Sequence, residues 1–316
     1  MVVLNYGTTF TGAFDELEVC INRLKKIFAK YGLDEVVREV QKPGSKEVIT
    51  DTRTGYWIHV DGAYGGCYMP YLAKHFKNNP DQVVDTVIDL NGNKVEYKAS
   101  QIPTLDMTKF PEICSTVTSG HKFPGAPWPL GVYMSRHKYQ LHPPSSPMYI
   151  GSMDSTLSGS RNGLSAIVLW KYLSLNSDEQ IIDNCVRCLK TIQEIEVRFR
   201  KIIEKKNKEK GLDLRLIRGP FGLTLIFSKM REAIRSKYTL AEQSMEDYDY
   251  NHLFTFTNVA NKPEVINSFL KDAEEDYSFE AELIGLEVTK IPGGALGEVE
   301  KKKNKLRKYQ MGPGNC

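Results

Sequence analysis

The 316-residue sequence predicts an α/β domain followed by a smaller α+β domain. Three observations predict it. The first half runs strand, helix, strand, strand, strand, with period-2 and apolar runs on either side of one helical pattern. Two of its strands lead into a charged residue set among glycines, Asp61 in "VDGAYGG" and Lys122 in "TSGHKFPG". The second half is carried by long helical patterns, with short strands and helices only near its end.

The elements follow in order. Val2–Asn5 is β-rich and stops at a Gly-Thr-Thr turn. Asp15–Tyr31 places Leu17, Val19, Ile21, Leu24, Ile27 and Phe28 at helical spacing, and Gly32 supplies the stop. Residues 33–54 are polar and are expected to be irregular. Tyr56–Val60 is a strand ending at Asp61; residues 79–104 form an excursion with "NGN" as a hairpin turn. Ile113–Thr118 and Leu130–Ser135 are the next strands. A helix follows over 164–175, then a long amphipathic one over Asp178–Lys208 with a basic end. Leu214–Arg218, Leu223–Phe227 and His252–Thr257 read as strands, Met230–Lys237 as a short helix, and Pro263–Glu275 as a helix opened by its proline. The domain boundaries drawn from this are 1–177, a linking helix over 178–210, a small α+β domain over 211–276, and a disordered tail over 277–316.

Composition narrows the function classes. Hydrophobic residues make up 41% and charged residues 26%, ordinary values for a globular chain with a sizeable core. Net charge is +3, too small to indicate a partner, and six Lys/Arg within 301–308 read as a solvated tail rather than a nucleic-acid site. No apolar run reaches the ~18 residues that span a membrane. The six cysteines are scattered, which fits reduced thiols and a cytoplasmic location. Cys185-x-x-Cys188 lies inside a helical pattern with no second Cys or His pair nearby, so no metal is assigned to it. The opening "MVVLNYGTTF" lacks the basic start and long apolar run of a signal peptide, and it reads as a buried strand.

Asp61 and Lys122 carry the chemistry. Open α/β sheets bind ligands at the carboxyl ends of their strands, where both residues fall. Either alone reads more simply, Asp61 as a loop aspartate and Lys122 as a surface lysine. Together, among small neighbours that leave room for a flat ligand, they say more. A buried lysine loses basicity and becomes a nucleophile toward a carbonyl. A buried carboxylate can hold the proton of a pyridine nitrogen. A lysine and a carboxylate in those roles are what pyridoxal phosphate needs from a protein.

"WIHVDGAYGG", "STVTSGHKFPGAPWPLGVYM" and "STLSGSRNGLSAIVLW", in this order, resemble the group II pyridoxal-phosphate-dependent amino-acid decarboxylases over residues 2–275. The wording is most similar to the branch with histidine decarboxylase-like enzymes and bacterial decarboxylases of valine or methionine. The resemblance implies the C-terminal part of an aspartate-aminotransferase-like (fold type I) large domain plus the small domain. It implies decarboxylation of an L-amino acid to its amine and carbon dioxide through a Schiff base on Lys122. Asp61 would pair with the pyridinium nitrogen, and Ala63 would lie against the ring. His121 would sit near the reacting centre and the phosphate, and Ser119 would be a phosphate ligand. Thr9, with Thr8 as the alternative, would lie near the cofactor. Ser160, in "GSRNG", would face an anion or simply cap the following helix. Tyr149 would donate a proton to the substrate carbon.

The resemblance further implies a homodimer and no metal, membrane or nucleic-acid partner. The family's ring-stacking histidine and phosphate-gripping Gly/Ser/Thr turn have no counterpart before Met1, so the chain is expected to be an N-terminally truncated fragment that is inactive alone. An aminotransferase would share the Asp/Lys pair, and a non-catalytic paralogue would share the fold. The substrate amino acid is not legible.

Overall fold

The structure is a computed structural model and describes residues 1–41, 46–89, 92–139, 161–245 and 248–283. The chain forms two compact units, Met1–Val84 with Tyr97–Val186, and Asp85–Glu96 with Arg187 onward.

The first unit is organised by β1 (Val2–Asn5), α1 (Leu17–Lys30), β2 (Val36–Gln41), β3 (Val48–Arg53), β4 (Ile58–Asp61) and α2 (Met69–Phe76). The hairpin of β5 (Val83–Ile88) and β6 (Lys94–Lys98), most of which belongs to the second unit, follows in the chain; β7 (Ile113–Ser119), β8 (Gly131–Ser135) and α3 (Gly163–Leu175) return to the first. Its main sheet has the order β1-β4-β7-β8, with β1, β4 and β7 parallel and β8 antiparallel. Alternation along β4 sets the faces: Ile58 and Val60 are fully buried, whereas His59 and Asp61 are half-buried on the other side. Tyr6, Tyr64, Tyr68, Met69 and Leu72 fill the core beside them. Phe28 of α1 stacks on Tyr56 at 4.0 Å, which docks the buried stripe of that helix.

Two parts of this unit depart from the sequence reading. Residues 33–54, expected to be irregular, contain the β2/β3 hairpin in a regular antiparallel register. Its pairs include Arg38 opposite Asp51, an attractive cross-strand arrangement. The alternation was hard to see because neither face lies in a core: Val48 on one face and Ile49 on the other are both exposed. Helix α2 was not anticipated either, since "MPYLAKHF" is a short segment starting directly after a tyrosine-rich turn.

The second unit contains most of α4 (Asp178–Lys210), then β9 (Leu216–Ile217), β10 (Thr224–Ser228), α5 (Glu232–Tyr238), β11 (Ala241–Met245), β12 (Tyr248–Phe254), α6 (Thr257–Ala260) and α7 (Pro263–Glu274). Its antiparallel sheet has the order β11-β12-β10-β9. Phe199 of α4 meets Phe227 of β10 at 5.0 Å and Phe269 of α7 at 5.3 Å, so three elements share one aromatic core. The long helix is therefore more than the linker expected over 178–210: its apolar side, including Cys188, Leu189, Ile192 and Ile203, builds this core. Strand β11 was not foreseen, because its residues 241–244, "AEQS", form an exposed edge. Cys185 and Cys188 are both fully buried, burial pushes the Cys188 thiol up to about 11, and the described residues hold no metal-ligating cluster.

Two buried charge networks tie remote segments into this unit. Arg218 donates to Glu196 at 2.6 Å and, through its two terminal nitrogens, to both oxygens of Asp85 at 2.8 and 2.7 Å. Asp85 also accepts from Gln193 and from the Phe221 amide, which explains why Asp85–Glu96 belongs here. The second network corrects the expected tail. The chain stays packed past residue 277: Phe279 and Glu282 are buried, and Phe279 bridges to Met230. Residues 284–316 lie outside the described residues. Burial raises the Glu282 carboxyl, but donors from Lys210, the Phe279 amide and Lys206 outweigh it and bring it down from 4.5 to about 2.

Two stability outcomes follow. Asp85→Ala leaves Arg218 buried without its bidentate partner and is expected to cost about 3–5 kcal/mol, read from the denaturant midpoint. Glu282→Gln is expected to cost roughly 3 kcal/mol at pH 7. Because the folded pKa is depressed, that contribution is complete above the unfolded value of about 4.5 and fades as pH falls toward 2. The gap between wild type and variant should close over that interval.

Candidate active site

Strands β1, β4 and β7 run parallel, so the segments leaving their carboxyl ends emerge side by side. Asn5 is in register with Asp61, and Asp61 with Val117. The turn after β4 lies directly on β7. The Gly62 amide donates to Val117 O at 2.9 Å, and a Cβ on Gly62 would sit 2.9 Å from that same oxygen. A Cβ on Gly66 would sit 2.9 Å from Thr118 Oγ1, and one on Gly65 only 2.2 Å from Tyr6 O. The glycines of "DGAYGG" thus bring backbones together. The sequence reading had given them to a ligand; the protein itself uses much of that space. The same correction applies to Gly120, where a Cβ would lie 2.4 Å from Leu130 Cδ2. Gly125 is different: its φ of +77° serves the turn that closes on Lys122 O.

Lys122 is half-buried, and its Nζ donates to Thr9 Oγ1 at 2.7 Å. Desolvation holds its pKa below the ordinary lysine value, while the nearby Asp61 carboxylate pulls it back up. Asp61 Oδ1 accepts from the Ala63 amide at 3.0 Å, which fixes the direction of the carboxylate, and no described residue donates to Oδ2. Behind Asp61, on the same side of β4, Ser115 Oγ accepts from Trp57 Nε1 at 2.8 Å and lies 2.7 Å from His59 Nδ1.

The structure thus brings together Lys122, Asp61, Ala63 and Thr9. Thr8, the alternative to Thr9, spends its hydroxyl inside its own loop, 2.6 Å from Thr11 Oγ1. Ser119 is buried as the last residue of β7, in register with Gly131. His121 is exposed, and its Nδ1 lies within hydrogen-bond reach of both the Leu130 amide, at 3.0 Å, and Leu130 O, at 2.9 Å; Leu130 O also takes the Gly120 amide. These contacts clasp the two ends of the loop that carries Lys122. Tyr149 and Ser160 lie outside the described residues. Asn162, two residues past Ser160, caps α3 by accepting from the Leu164 amide at 3.0 Å.

Sequence reasoning missed Cys67 and Leu130. Cys67 Sγ lies 3.0 Å from Thr118 Oγ1 and 3.6 Å from Ser119 O, joining the turn after Asp61 to the strand before Lys122. Its place at the end of the "DGAYGG" motif was the available signal. Leu130 works through its main chain, which leaves no trace in residue type.

The electrostatic coupling is testable without any ligand. Asp61→Asn removes the carboxylate that raises the Lys122 pKa, so Lys122 should titrate lower still. The pH profile of its acetylation, read by mass spectrometry, should move to lower pH; an unmoved profile would show that the two groups do not sense each other.

No family model matches the chain. The chain is similar to the histidine decarboxylase of Solanum lycopersicum, 26% identical over 281 residues, covering 88% of this chain and 51% of that protein. It is 33% identical over 202 residues to the histidine decarboxylase of Mesorhizobium japonicum, covering 62% of this chain and 42% of the relative. Among solved structures, an L-methionine decarboxylase from Streptomyces sp. 590 superposes with a TM-score of 0.68 at 30% identity, over 86% of this chain and 53% of that one. The chain spans about half the length of the curated relatives it matches. The chain is thus similar in fold to pyridoxal-phosphate-dependent amino-acid decarboxylases of fold type I, and the likeness runs over most of its length.

Proposed function

We propose that this chain contributes the lysine-and-aspartate half of a pyridoxal-phosphate site that decarboxylates an L-amino acid to its amine. The carrying observation is the pair itself. A half-buried lysine of lowered basicity sits beside a carboxylate whose Oδ2 has no described donor, both at carboxyl ends of adjacent parallel strands. Those groups fit the cofactor: an amine for its aldehyde carbon and an acceptor for its ring N–H. When bound, pyridoxal phosphate supplies a conjugated ring that takes up the electron pair left as carbon dioxide departs.

The chain's own residues then have defined tasks. Lys122 would hold the cofactor by presenting its amine to the aldehyde carbon. Asp61 holds the proton on the ring nitrogen, which keeps the ring electron-poor. The small side chain of Ala63 admits the ring face. Ser119 serves the phosphate. His121 shapes the lysine loop through Leu130 and offers its Nε2 to the reacting region. Thr9 holds the Lys122 amine when it is free. Tyr149 returns a proton to the substrate carbon, and Ser160 serves an anion at the start of α3.

The proposal extends to context. The relatives named for histidine and methionine differ in side chain, so the substrate class is an L-amino acid without further restriction. Helix α3 supports a homodimer: none of its residues is buried, and Leu164, Ile167, Trp170, Leu173 and Leu175 are exposed on it. Five free cysteines among the described residues, three of them buried, support a reducing, cytoplasmic setting. No described helix is long and apolar enough to cross a membrane.

The test mixes the purified chain with pyridoxal phosphate. A visible band that borohydride fixes onto Lys122, absent from Lys122→Ala, is the expected result. Labelling spread over surface lysines would sink the assignment.

A further inference from the structure

The loop that carries Thr9 is closed at its foot by Asp15, through its side chain as well as its main chain. Strand β1 is an edge strand: β4 lies on one side of it, and the Tyr6 amide donates to Asp61 O on that side at 2.8 Å. The Asn5 amide therefore turns toward the open edge. Asp15 meets it there. Asp15 Oδ2 accepts from the Asn5 amide at 2.6 Å, and the Asp15 amide donates back to Asn5 O at 2.9 Å. The closure continues upward through the Tyr6–Phe14 bridge and the Thr8 amide on Ala13 O at 2.7 Å. Thr9 stands at the tip, exposed, with its hydroxyl on Lys122.

The foot of this loop is also its reference point. Asn5 is the residue in register with Asp61. By gripping Asn5, Asp15 fixes the Thr9 loop relative to the carboxylate that Lys122 senses. The bond from a carboxylate to a main-chain amide is charge-assisted and stronger than a neutral one, so a single residue can hold the loop closed. Asp15 does not cap the following helix: the N-cap position of α1 is Glu16, and no side-chain cap bond forms there. Its oxygen is committed to β1.

We propose that Asp15 is a positioning residue for Lys122, acting through Thr9: it closes the 5–15 loop so that the Thr9 hydroxyl restrains the lysine amine beside Asp61. This deepens the reading of Lys122 as the reactive lysine and rests on it for its functional meaning. The geometry can be tested without the cofactor.

The experiment is competitive acetylation of the full chain with acetic anhydride, read by mass spectrometry as the rate at Lys122 relative to Lys74 and Lys237. Both reference lysines are ion-paired at the surface, so they report any general loosening. Asp15→Ala and Thr9→Val should each raise the relative rate at Lys122 by about threefold or more, the size expected for losing one hydrogen bond. The double variant should exceed neither single one, since both remove the same restraint. Asp15→Asn keeps an acceptor oxygen at the same place and should restore the wild-type rate. Three results would each overturn the proposal: Asp15→Ala lowers thermal stability without changing the Lys122 ratio, the two single effects add in the double variant, or Asp15→Asn behaves like Asp15→Ala. The borohydride experiment fails independently. A wild-type chain that forms no Lys122 adduct, but whose Asp15 variants show this pattern, would retire the cofactor reading and leave the positioning role standing.

Discussion

The parallel register of β1, β4 and β7 is the constraint on which the site depends. Parallel strands place their carboxyl ends at one edge of the sheet, and three residues in line, Asn5, Asp61 and Val117, set where three separate loops begin. Thr9 leaves from the first, Ala63 from the second and Lys122 from the third. A one-residue slip between β4 and β7 would turn Asp61 to the buried face of Ile58 and Val60, where an unpaired carboxylate is costly. The apolar alternation that stabilises the sheet is therefore also what selects the register of the site.

Close backbone contact then turns this register into fixed distances. Glycines at 62, 65 and 66 let the turn after β4 lie on β7 and on the end of β1, where any side chain would meet a carbonyl or a hydroxyl. Cys67 and the His121–Leu130 clasp add polar ties on either side of the same strand end. The result is a lysine whose amine is partly withdrawn from water yet still faces a carboxylate and a hydroxyl. Desolvation lowers its basicity and the carboxylate moderates the fall. The second unit spends its buried charges otherwise. Arg218 with Asp85 and Glu196, and Lys206 with Glu282, are fully engaged with protein partners and hold distant segments of chain in one core.

The residues that could be found from sequence alone share one property: their identity was dictated by chemistry at a recognisable place. Asp61 and Lys122 stood at strand ends among glycines, and the short motifs around them carried the family likeness that the comparisons then bore out. The helices α1, α3, α4 and α7 were legible from apolar spacing, with ends displaced by a few residues or fewer. The β2/β3 hairpin and β11 were not, because an exposed strand has no buried face to imprint its period on the sequence. Phe279 and Glu282 were assigned to a tail because their anchoring partners, Phe199 and Lys206, lie some 75–80 residues earlier.

By itself the sequence determined the class of fold and singled out Asp61 and Lys122 with the chemistry they suit, since each depends on local pattern and residue type. Tertiary structure decided how those residues are held. Only the folded chain shows that Thr9 rather than Thr8 reaches Lys122, that Asp15 closes the loop beneath it, and that His121 engages the main chain of Leu130. It also shows the glycines spending their space on backbone contact. The reason is physical. A hydrogen bond to a main-chain amide or an approach of two backbones places little demand on the identity of the partner residue, so neither leaves a mark until the strands are in register.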